Sequence, residues 1–144
     1  MKWLPAICLL VSCAVSVALA QTTDPKSFIP RRGQISFTTP SQNVECTYTP
    51  AGGTPLYKPV GGGPELSCDR AKPSSVNVSL GPTGPARQIS NPGEQSCCAA
   101  DNVLSYRAKW SQGPFTCRSA EKGLTCSRSD GHGFFISQKT IKVH

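Results

Sequence analysis

The chain has 144 residues, including 13 Gly, 13 Pro and 8 Cys, and carries a formal net charge of +7. A chain of this length is one domain. It buries a smaller share of its surface than a large protein does, so its core needs help from crosslinks. No long amphipathic helix and no catalytic signature stands out in it.

In chain order, the first feature is a leader. Met1 and Lys2 are a short positive start, Trp3 to Leu19 is apolar except for Pro5, Ser12 and Ser16, and Ala18-Leu19-Ala20 has the small-x-small form of a signal-peptidase site. Residues 1–20 are therefore expected to be a signal peptide cleaved after Ala20, and the mature protein to be secreted or periplasmic. A membrane anchor needs about 20 apolar residues, more than this run offers, and no later run is apolar for long enough to span a membrane after cleavage. Leu10-Val11-Ser12-Cys13 has the form of a lipobox, which makes lipoprotein processing at Cys13 the lesser alternative; the apolar run continues through Val17, where a mature lipoprotein should turn polar.

Residues 21–33 lack periodicity and hold the pair Arg31-Arg32, the pattern of a flexible arm. A single disulfide-rich β domain is expected over 34–144. Ile35 to Thr39 and Val44 to Tyr48 read as strands around the turn Pro40-Ser41-Gln42-Asn43. Pro50 to Pro64 holds too much Gly and Pro for a regular element and reads as a loop. Leu66 to Arg70 and Val76 to Leu80 are further strands, the second with alternating Val76, Val78 and Leu80. Gly81 to Gln95 reads as a second long loop, and Asp101 to Trp110 (DNVLSYRAKW) as one or two helical turns. Phe115 to Ser119 and Leu124 to Arg128 are strands joined through Ala120-Glu121-Lys122-Gly123, and Ile141 with Val143 supplies a last edge strand. Asp130-Gly131 between strands predicts a type I′ hairpin, a register that puts Phe135 opposite Cys126 and leaves the last hairpin apolar on both faces. The fold class is all-β: a small disulfide-stapled antiparallel sandwich or barrel with long Gly/Pro-rich loops, its core built on the sparse aromatics around Trp110.

Cleavage would discard Cys8 and Cys13 and leave Cys46, Cys68, Cys97, Cys98, Cys117 and Cys126. An even cysteine number in an exported chain reads as a disulfide framework. If Ser119 faces Leu124, Cys117 faces Cys126 within bridging reach. Cys46 and Cys68 are the next natural pair, closing the glycine-rich excursion between them. Adjacent Cys97 and Cys98 either bridge each other or go to different partners. No CxxC pair occurs, and His132 and His144 are not at finger spacing, so neither a metal nor any other cofactor is called for.

The segment GPFTCRSAEKGLTCSRSDGHGFFIS at Gly113 to Ser137 resembles, together with FTTPSQNVEC at Phe37 to Cys46, LSCD at Leu66 to Asp69 and CAAD at Cys98 to Asp101, a family of small exported bacterial proteins designated domain of unknown function 6636. The resemblance implies bacterial origin, export and a shared bridge framework; it brings no activity. The chain departs from the family pattern in having Ser74-Ser75-Val76 where relatives carry a cysteine, and two cysteines rather than one before the AxD block.

After cleavage the charge is +6, because the leader holds Lys2 and no acidic residue. The basic residues are scattered, with no run longer than Arg31-Arg32. Long-range attraction would draw such a domain to an anionic envelope polymer or to another protein. Nucleic acid is disfavoured, since no cluster of stacking aromatics accompanies the cations. For catalysis the sequence offers His132 beside Asp130, but no GxSxG, and no free thiol once three bridges form. A turn histidine reads as a solvated polar residue. The weak candidates for ligand contact are His132, Asp130, Arg118 and Arg128. The expectation is an exported non-enzymatic domain, binding or structural, in the cell envelope or extracellular space; the alternative is a small secreted hydrolase or protein inhibitor.

Overall fold

The computed structural model describes Pro25, residues 28–93 and residues 97–144. The expected signal peptide and Cys13 lie outside the described residues. Among the described residues eleven strands form two sheets. Sheet I has six strands in the order β5-β4-β3-β2-β1-β6: β1 (Ile35–Thr38), β2 (Val44–Thr49), β3 (Glu65–Arg70), β4 (Val76–Leu80), β5 (Arg87–Ser90) and β6 (Asn102–Val103). Sheet II has five in the order β11-β10-β9-β8-β7: β7 (Lys109–Gln112), β8 (Phe115–Ala120), β9 (Gly123–Arg128), β10 (Gly133–Ile136) and β11 (Ile141–Val143). Apart from the parallel β1·β6 ladder, each strand pairs antiparallel with its sequence neighbour. The architecture is therefore a sandwich of two meanders, the outcome expected when short alternating runs are punctuated by turn residues.

Alternation decides what each sheet buries. Val44, Cys46 and Tyr48 of β2, Leu66 and Cys68 of β3 and Val76, Val78 and Leu80 of β4 point inward. They meet Trp110, Phe115, Cys117, Leu124, Cys126, Phe134 and Ile136 of sheet II. Aromatic rings tie the layers together, with Phe37 and Trp110 centroids 5.0 Å apart and Tyr48 6.1 Å from both Trp110 and Phe115. Cys46 bridges Cys68 in sheet I, and Cys117 bridges Cys126 in sheet II. Their Cα separations of 4.0 and 4.1 Å are those of closely opposed strand residues. The sulfurs of Cys46, Cys68 and Cys126 lie within 4.8 Å of one another, so the two bridges stack at the centre of the core, where a thiolate metal site is ruled out by their covalent use. Cys97 and Cys98 bridge each other.

Several expectations are corrected. Of the arm expected over 21–33, residues 28–33 belong to the domain, because Phe28 is buried against Phe37 at 5.8 Å. The loop expected over Gly81 to Gln95 contains β5, an edge strand with all four residues exposed, so no buried alternation marks it in the sequence. Asp101 to Trp110 is not helical: it supplies β6 and the start of β7, separated by a turn in which Ala108 N–H donates to Ser105 O at 3.0 Å. The β8–β9 connection is shorter than expected, as Ala120 pairs with Gly123, but Cys117 still faces Cys126.

The Asp-Gly turn is also different. Gly131 has φ +94° while Asp130 has no positive φ, and Arg128 N–H donates to His132 O at 2.7 Å. This is a three-residue loop ending on a left-handed glycine, rather than the two-residue type I′ turn. One extra loop residue shifts the register by one. Phe134, not Phe135, therefore lies opposite Cys126 and covers the bridge, and Phe135 moves to the outer face opposite Thr125. There its ring lies over Gly123, where a Cβ would meet Phe135 Cζ at 2.5 Å. Phe135 needs no further covering layer, because the missing glycine side chain makes room for it.

Candidate functional site

The outward side chains of sheet II form rungs across all five strands. Cross-strand partners point to the same side, and the register Lys109–Arg118–Thr125–Phe135–Lys142 runs from β7 to β11. Four strand spacings make this rung roughly 19 Å long. Beside it runs a hydroxyl rung, Ser111–Thr116–Ser127, in which Ser111 Oγ and Thr116 Oγ1 are 3.0 Å apart. None of β7 to β11 contains Asp or Glu. Lys109, Arg118 and Lys142 are exposed, and none makes a hydrogen bond or ion pair among the described residues. Lys109 stands directly opposite Arg118, a like-charged pair that costs stability.

Of the four residues the sequence singled out for ligand contact, only Arg118 belongs to this face. Arg128 points inward and is 4% exposed. Its guanidinium donates to Gly81 O at 2.6 Å and Gly84 O at 2.7 Å in sheet I's β4–β5 connection, and to both carboxylate oxygens of Asp130 at 2.9 and 2.6 Å. That hydrogen bonding by Arg128 holds the Asp130 carboxyl below the usual carboxylate range, helped by the His132 N–H. Arg128 and Asp130 are thus spent on joining the sheets. Asp130 accepts from the backbone N–H of His132 at 3.2 Å. Cys46, Cys68, Cys97, Cys98, Cys117 and Cys126 are all in bridges, which leaves no free thiol among the described residues.

The sequence reading missed Lys109 and Lys142. They are 33 positions apart in the numbering, and only the five-strand register puts them on one rung. The available signal was local: in KWSQ, FTCRSA and GLTCSR the polar residues alternate with buried ones.

A groove of about 400 Å³ opens at one end of the sandwich. Val44, Leu124 and Ile136 lie buried beneath it, and the turns around it bring Ser41, Tyr106, Lys122, Gln138 and Lys139. A second groove, of about 360 Å³, lies where residues 99–102 cross sheet I, but its charges are already engaged: Arg31 pairs with Asp101, and Glu45 accepts from the N–H groups of Ala99 and Ala100 at 2.7 and 3.1 Å. Among the described residues no helix is long and apolar enough to cross a membrane. The chain matches no protein-family model, no curated protein and no solved structure.

Proposed function

We propose that this protein is an exported, non-enzymatic binding domain whose sheet II face holds an anionic polymer of the cell envelope or extracellular space. The observation that carries this reading is the Lys109–Arg118 pair on the β7 side of a face whose strands hold no acid. A directly opposed like-charged pair weakens the sheet, and departures of that kind concentrate where function requires them. The outward hydroxyls offer hydrogen bonds to a polyhydroxylated chain, and the half-buried ring of Phe135 offers it an apolar platform. The sequence of the leader, the bridge framework and the resemblance to the small exported bacterial family support a location outside the cytoplasm. The test is salt elution of the folded protein from immobilised polygalacturonate. The triple variant Lys109→Ala/Arg118→Ala/Lys142→Ala should elute at clearly lower salt with a urea midpoint no lower than that of the wild type, since long-range attraction is screened by salt and removal of the opposed like charges does not weaken the sheet. Equal elution of the variant and the wild type would overturn the reading.

A further inference from the structure

We infer that the groove at the end of the sandwich is a second binding site, which takes a single acidic sugar residue, the terminal unit of a carboxylated polysaccharide. This inference rests on the polyanion reading of sheet II and adds to it a site for the chain end. The groove has the size of small-ligand sites. Tyr106 on its rim is one of the few exposed large hydrophobics, at 39% exposure, and its ring suits the apolar face of a pyranose. Lys122 in the β8–β9 turn and Lys139 in the β10–β11 turn bring two cations to the same rim, suited to a carboxylate, although Glu121 lies there as well. Ser41 and Gln138 supply hydrogen-bonding groups for ring hydroxyls.

A further observation points to this end of the molecule. Gln42 and Arg107, two of the non-glycine residues with positive φ (53° and 69°), lie in the turns that carry Ser41 and Tyr106. Strained backbone of this kind persists where surrounding structure holds it, here through Gln42 N–H to Thr39 O at 2.9 Å and Arg107 N–H to Ser119 O at 2.8 Å.

The groove also adjoins the basic face. Ala120 and Ser137, which line it, follow the outward positions Arg118 and Phe135 by two residues, and Gly123 precedes the outward Thr125 by two. A polymer lying on the Lys109–Arg118–Lys142 rung can therefore end at the groove.

The experiment is a titration of isotope-labelled full-length mature protein with trigalacturonate, followed by amide chemical shifts, with the fully methyl-esterified trimer as the uncharged control. Trigalacturonate should move the resonances of Tyr106, Lys122, Gly123 and Lys139, and the ester should not. Lys122→Ala/Lys139→Ala, two exposed turn substitutions, should weaken trimer binding by about tenfold or more, as loss of a charge-assisted contact does. The sheet II triple variant should weaken trimer binding less than Lys122→Ala/Lys139→Ala does, because of its residues only Arg118 lies within two positions of a groove residue, Ala120. Equal shifts with the ester, shifts confined to the outward residues of β7 to β11, or full affinity in Lys122→Ala/Lys139→Ala would each overturn the groove assignment while leaving polymer retention on sheet II intact. Retention on polygalacturonate that ignores the sheet II triple variant would instead overturn the face and leave the groove standing.

Discussion

The two sheets share one interior plan and have opposite exteriors. Inside, each contributes a cross-strand bridge, Cys46–Cys68 in sheet I and Cys117–Cys126 in sheet II. Each also sends one inward arginine across to the other sheet. Arg70 of β3 donates to Ser137 O beyond β10 at 3.0 Å, and Arg128 of β9 donates to Gly81 O and Gly84 O beyond β4. The two latches sit at opposite ends, since Arg70 pairs with Val76 while Gly81 follows Leu80, the partner of Leu66. Outside, sheet I carries Glu45, Glu65 and Asp69, each hydrogen-bonded within the chain: to the Ala99 and Ala100 N–H groups, to Tyr57 and to Asn77. Sheet II carries unpaired cations and no acid. Duplicated interior features serve stability, whereas an exterior that leaves like charges opposed and unpaired is the departure on which the proposed binding face rests.

Removing the bridges is the strongest way to break the symmetry of the interior. Cys46→Ala/Cys68→Ala and Cys117→Ala/Cys126→Ala should each lose about 3 kcal/mol in urea unfolding, with the first pair losing roughly 0.5–1 kcal/mol more because its loop is longer. The sequence separations are 22 and 9 residues. A bridge whose removal left the midpoint unchanged would mean that its sheet is held by packing alone, and the common plan would fail.

The arginine latches come next. Arg128→Met removes donors to two backbone carbonyls and to Asp130, and Arg70→Met removes donors to Ser137 O, Ser74 O and Ser74 Oγ. The expected losses are about 3 and about 2 kcal/mol, from buried carbonyls left without partners. Arg128 has the larger effect because its bonds are shorter and one partner is charged. The pH dependence distinguishes the two latches. Asp130's folded value is below its unfolded one, so its contribution is present above the ordinary aspartate value of 3.8 and is lost as pH falls through the depressed folded value. Arg128→Met should flatten that acid limb and Arg70→Met should not. The reverse result would place the charged latch at the wrong end.

Much of the interior was legible in the sequence, and little of the exterior was. Cys117 opposite Cys126 follows from local hairpin spacing, and β1 to β4 follow from alternation between turn residues. The Asp130-Gly131 pair was misread because it suits a two-residue and a three-residue loop alike, and the difference of one residue moved Phe135 from the core to the surface. β5 and β7 were missed because exposed or mixed residues give no periodic signal, while pairing supplies the backbone partners that make them strands. The basic rung required every register of sheet II at once, since Lys109, Arg118 and Lys142 form no run.

The smallest effect concerns how tightly sheet I's exterior is covered. Tyr57, in the loop before β3, donates to Glu65 Oε1 at 2.7 Å, and its pKa is pushed up to about 12, first by burial and then by the hydrogen bond and the negative charge of Glu65. The folded value lies above the unfolded value of 10.0, so this contact is fully present below pH 10 and is lost as pH rises toward 12. Tyrosinate absorbance should therefore report one tyrosine ionising near pH 12, together with loosening of residues 50–64 in the same window. Glu65→Gln removes the charge but not the burial, so it should bring the value only part of the way back to 10.0. If Tyr57 titrated near 10.0 in the intact protein, the loop would stand away from the sheet, Glu65 would be open to solvent, and the contrast between a covered acidic face and an open basic one would vanish.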